Sequence, residues 1–166
     1  MNRIGSCIAC AAALLLAPSA ARGNEPSEPV FRKPFTLTLH VDKERYYEEQ
    51  IKAIPYTFER DIYLLKGDRF GVRLSPEGAP SYEPDLKKAD LELTFTQDVK
   101  DDGTAMMLLV ISNRTKKTVE FEGLMTVPGS KGIHKTSLLP LRPGLTNYES
   151  WPHPIVQLVL RNPRVK

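Results

Sequence analysis

Along residues 35–41 apolar and polar side chains alternate strictly: Phe35, Leu37, Leu39 and Val41 fall on one face, Thr36, Thr38 and His40 on the other. A period of two with β-branched residues predicts a half-buried strand. The same alternation returns where Leu91, Leu93 and Phe95 are interleaved with Glu92, Thr94 and Thr96. Residues 62–65 and 70–74 are two apolar runs around Lys66, Gly67 and Asp68, the pattern of a hairpin with Phe70, Val72 and Leu74 turned inward. Residues 106–111 are apolar on both faces, which suits a central strand, and further runs follow at 119–127, 133–139 and 155–160. Residues 42–54 fit either a helix stopped by Pro55 or short strands, and the β character of their surroundings favours extended structure. With turn signals at short intervals this makes about seven or eight short strands. The expected fold is a single all-β domain over 35–166, an immunoglobulin-like or related antiparallel β-sandwich without an intersheet disulfide.

Two segments precede that domain. Arg3 in a short basic head, an Ala/Leu-rich run over 8–17 and the small-residue stretch 18–23 together have the three regions of a secretory signal peptide, assigned to 1–23. The apolar run is about half of the roughly 20 residues a membrane span needs, and no later segment approaches that length. Residues 24–34, with three prolines and little apolar content, are expected to be a flexible lead-in. Export to the periplasm or the exterior is the expectation. Cleavage also removes both cysteines, Cys7 and Cys10, so thiol chemistry and disulfide stapling leave with them. The composition of the whole chain is ordinary for a globular protein, with 41% hydrophobic residues and a formal net charge of +3. That balance, with both signs interspersed, lacks the footprint of a nucleic-acid binder.

Candidate chemistry is sparse. Gly129-Ser130-Lys131-Gly132 has neither the spacing of a nucleophile elbow nor that of a phosphate loop, and fits a turn after Pro128. Ser137, His134 and Glu149 supply the residue types of a hydrolase triad without any local context for one. His40, His134 and His153 with Met106, Met107 and Met125 are types that suit periplasmic copper, yet no two form a tight ligand motif. No catalytic residue, metal ligand or cofactor is assigned. The acidic turn 98–103 lacks the alternating carboxylates of a calcium loop. Asn113-Arg114-Thr115 is a glycosylation sequon in a eukaryotic setting.

Two features point to binding. Residues 143–154 form an expected connection between strands that carries Tyr148, the only Trp (Trp151) and His153 among three prolines. Rigid prolines order a loop at low entropic cost, and Tyr and Trp are enriched where proteins grip partners, although Trp151 also suits a cover over the open end of a sandwich. Lys131, His134 and Lys135 form a basic cluster suited to an anionic or acidic partner. The functional expectation is a non-catalytic exported β-sandwich that binds another envelope protein, as an inhibitor, immunity or assembly-accessory protein. A copper-handling protein and a small secreted hydrolase are the alternatives.

Overall fold

Where polar and apolar positions alternate, the computed structural model of the chain, which describes residues 28–166, forms strands. In chain order these are β1 (Phe35–His40), β2 (Tyr46–Ile51), β3 (Thr57–Phe58), β4 (Asp61–Leu64), β5 (Asp68–Leu74), β6 (Pro80–Glu83), β7 (Leu91–Val99), β8 (Ala105–Asn113), β9 (Val119–Thr126), β10 (His134–Thr136), β11 (Thr146–Trp151) and β12 (Gln157–Val165). There is no helix among the described residues, and 42–54 contributes β2. The segment assigned as a signal peptide, 1–23, lies outside the described residues, as do 24–27.

Two five-stranded antiparallel sheets face each other, one ordered β10-β9-β12-β4-β3 and the other β11-β8-β7-β5-β6, with β1 and β2 forming a separate hairpin. The fold is an all-β antiparallel sandwich; its strand order does not of itself make it immunoglobulin-like. The inward-facing halves of the alternating strands make the core: Leu91, Leu93 and Phe95 of β7 and Met107, Leu109 and Ile111 of β8 lie opposite Ile62 and Leu64 of β4 and Leu158 and Leu160 of β12. Each such side chain stabilises the fold by about 1.5–3 kcal/mol relative to an exposed position. Leu37, Leu39 and Ile51 bring the inner face of the β1–β2 hairpin into the same cluster. The hairpin is held by Gln97, which accepts from the His40 amide and donates to the His40 carbonyl, both at 2.9 Å. At the turn between β7 and β8, Gly103 adopts φ +84°, and a Cβ there would stand 2.6 Å from Lys43 Cα, so only glycine lets the two turns meet.

Three expectations need correction. The hairpin expected from 62–65 and 70–74 does not form, because β4 lies in one sheet beside β12 while β5 lies in the other beside β7. Consecutive Leu64 and Leu65 are both buried, so the chain crosses the interior there instead of turning back along a single face. Residues 143–154 are not merely a connection. Thr146–Trp151 is an edge strand whose whole length pairs with β8, and its modest apolar content reflects a strand that packs on one side only. The later part of the expected lead-in is tied down: the Tyr56 amide donates to Val30 O and the Arg32 amide to Ile54 O, both at 2.9 Å, and the Arg32 side chain is buried.

One polar side chain organises the end of β8. Asn113 is almost wholly buried, its Nδ2 donating to Lys117 O (2.8 Å), Leu141 O (3.0 Å) and Arg142 O (3.2 Å), while Oδ1 accepts from the Thr115 amide and hydroxyl. It is therefore committed to the interior of the fold and not presented as a glycosylation acceptor. Asn113→Ala is expected to lower unfolding free energy by about 2 kcal/mol, because buried carbonyls lose their donor. Equilibrium denaturation checks this, and an unchanged midpoint would contradict it.

Candidate interaction site

The register of β11 decides which of its groups are free. The Asn113 amide donates to Leu145 O at 2.9 Å, which makes that pair hydrogen-bonded. In an antiparallel ladder such pairs alternate with non-bonded ones. Asn147, Glu149 and Trp151 therefore direct their backbone groups at Ile111, Leu109 and Met107 of β8. Thr146, Tyr148 and Ser150 direct theirs away from it, along an edge to which no strand is added among the described residues.

Side chains follow the same alternation. Trp151 points inward and is 7% exposed; its indole Nε1 donates to Thr136 Oγ1 at 2.8 Å, and its ring meets Phe95 edge-on at 6.4 Å between centroids. Glu149 accepts from the Leu139 amide at 2.9 Å, and Asn147 donates to Leu139 O at 3.2 Å, so both hold the segment that crosses from β10 to β11. Tyr148 faces the opposite way and is 69% exposed. It stands directly across from Val110, and Ser150 across from Leu108, on the outer face of the sheet. Met106, Leu108 and Val110 are only half-buried there, forming with Tyr148 an apolar stripe flanked by Thr94 and Thr96 of β7. At the far end of the same face Glu92 binds Arg69 (3.0 Å) and Arg114 (2.6 Å), giving the stripe a charged rim.

The residues singled out from sequence thus separate. Tyr148 belongs to an open surface, Trp151 to the core, and His153 is half-buried with Nδ1 3.2 Å from Pro154 O. The doubly apolar pattern of 106–111 was the signal for the stripe. It suggests a central strand, yet β8 is next to the edge, and among the described residues no third sheet covers its outer face, whose side chains are half-buried.

Lys131, His134 and Lys135 are all exposed, Lys131 in the turn joining β9 to β10 and His134 and Lys135 at successive positions at the start of β10. His134 Nε2 is 2.9 Å from Ser130 Oγ, a contact between a hydroxyl and an imidazole that the sequence pattern did not suggest. Ser137 and Glu149 do not join it, since the Glu149 carboxylate receives the Leu139 amide. His134 also stands across from Met125, whereas the His40 ring lies tilted against Tyr46, 4.5 Å between centroids, in the β1–β2 hairpin and His153 lies beyond β11. Among the described residues no group of three or more His, Cys, Asp or Glu side chains is placed to hold a metal ion. Two clefts open elsewhere, of about 490 Å³ beside Asp42 and Asp102 and about 1040 Å³ beside Arg60 and Arg73, and neither takes in Ser130, His134 or Tyr148. Comparison of the chain with protein-family models, with curated proteins and with solved structures finds no match to it.

Proposed function

We propose that the chain is an exported, non-catalytic β-sandwich that binds another polypeptide of the cell envelope, which adds a strand along the free edge of β11. The observation that carries this reading is the combination of outward-directed backbone groups at Tyr148 and Ser150 with the uncovered stripe Met106, Leu108, Val110 and Tyr148 beside them. Strand addition draws affinity from main-chain hydrogen bonds and selectivity from alternate side chains, and this edge offers both. Proteins normally blunt such edges with charge, proline or a bulge. β11 carries none of these along its outward row of Thr146, Tyr148 and Ser150.

Ser150→Pro tests it directly. The Ser150 amide is directed away from β8, so proline removes a donor the fold does not use but that an added strand would need. The expected result is capture of an envelope polypeptide by the unsubstituted protein, loss of that capture with Ser150→Pro and with Tyr148→Lys, and melting temperatures within about 2 °C of each other. Undiminished capture by both variants would reject the β11 edge as the binding surface.

A further inference from the structure

From residue 123 to residue 148 the chain contains no Asp or Glu, while Lys131, His134, Lys135 and Arg142 fall within it. Two of the most exposed aliphatic side chains are in the same stretch: Ile133, 70% exposed, and Leu139, 68% exposed. The turn between β9 and β10 has its own internal order. Ser130 Oγ meets His134 Nε2 at 2.9 Å and accepts from the Gly132 amide at 3.3 Å, so the polar groups of the turn are joined to one another while Ile133 is left facing solvent. Lys131 and Lys135 bracket it, and both are exposed. Lys135 continues across the sheet into a row with Leu124, Val159 and Tyr63, all half-buried, which extends the apolar surface inward from the tip. The carboxylates that flank this stretch along the chain are engaged: Glu149 receives the Leu139 amide, and Glu122 lies 3.8 Å from Arg164.

An exposed aliphatic tip bracketed by ammonium groups, on a stretch free of negative charge, matches the two layers of an anionic bilayer surface. The aliphatic side chain reaches the acyl boundary while the lysines meet the phosphates, their stems lying along the apolar layer. We infer that the β9–β10 turn docks the protein reversibly onto an anionic phospholipid surface, with Ile133 inserted and Lys131 and Lys135 on headgroup phosphates. This surface is separate from the outward row of β11, so it stands or falls independently of the protein-binding reading.

Sedimentation of the exported chain with phosphatidylcholine vesicles, with and without phosphatidylglycerol, tests the inference. Binding is expected only to the anionic vesicles and is expected to weaken as salt is added. Lys131→Gln and Lys135→Gln are each expected to reduce partitioning about fivefold. Ile133→Ser is expected to reduce it further, and Ile133→Trp to show a blue-shifted emission on anionic vesicles that Trp151, already buried, does not. Ser150→Pro leaves vesicle binding unchanged, which separates this surface from the β11 edge. Equal binding to neutral vesicles, no binding to either, or lysine variants that bind as the unsubstituted chain does would overturn the inference. So would loss of a polypeptide partner, without any vesicle effect, in the same lysine variants.

Discussion

Arg32→Ala is expected to destabilise the protein by about 3–5 kcal/mol, the cost of leaving one member of a buried ion pair alone. The Arg32 guanidinium is bidentate on Asp68, with Nε 3.0 Å from Oδ1 and Nη2 2.7 Å from Oδ2. It also donates to Pro55 O at 2.7 Å and to Tyr63 O at 2.6 Å, and its Cζ lies 4.0 Å from the centre of the Tyr56 ring. Side-chain exposure is 4% for Arg32 and 11% for Asp68, so water does little to screen the pair. Asp68 in turn accepts the Leu65 amide at 2.7 Å, which links the cluster to the crossing between β4 and β5. Removing the guanidinium therefore strands a carboxylate and two carbonyls at the point where the chain changes sheets. Arg32→Lys is expected to recover only a small part of the loss, because an ammonium cannot reproduce the planar fork or lie flat on Tyr56. Urea denaturation of the three proteins decides the matter, and a loss below about 1 kcal/mol for Arg32→Ala would show that the pair behaves like a surface salt bridge.

Trp151→Ala is expected to cost a further about 3–5 kcal/mol on its own, the range for truncating a large aromatic in a core. The indole fills the space between β11 and Phe95 and donates to Thr136 Oγ1 on β10, so it spans the two sheets at their open side. Trp151→Phe should retain most of the packing and lose about 1 kcal/mol for the hydrogen bond. Tyr148→Ala, three residues earlier and on the opposite face, should change stability by less than about 0.5 kcal/mol. Thermal unfolding measured beside partner capture separates the two roles. A Trp151→Ala protein that keeps its stability but loses capture would return Trp151 to the binding surface and displace Tyr148 from it.

Much of the local structure was legible along the chain because a half-buried strand writes its burial into a two-residue period. Phe35, Leu37 and Leu39 and the Leu91, Leu93 and Phe95 series show this, and the strands occur where that alternation lies. The turn at Gly103 was legible for the related reason that positive φ favours glycine. The candidate site was legible only in part. Tyr148 and Trp151 were picked out together by residue type, yet three positions apart on a strand means opposite faces, and this parity counts only once Thr146–Trp151 is known to be a strand.

Pairing partners are another matter. Local alternation states that a segment has a buried face but not which strand lies beside it, since hydrogen-bonded neighbours such as β12 and β4 are nearly a hundred residues apart. The Lys66-Gly67-Asp68 turn would serve a hairpin equally well by its residues, and only the burial of both Leu64 and Leu65 and the anchoring of Asp68 by Arg32 send it across the sandwich. Arg32 itself looks like one charge in a proline-rich leader until Asp68, Pro55 and Tyr63 converge on it from three other segments. The β class of the domain and the positions of most of its strands thus follow from neighbouring residues along the chain, whose side-chain period is a local property. Sheet order, the open edge of β11 and the separation of Tyr148 from Trp151 follow from contacts between distant segments, which no short stretch of sequence encodes.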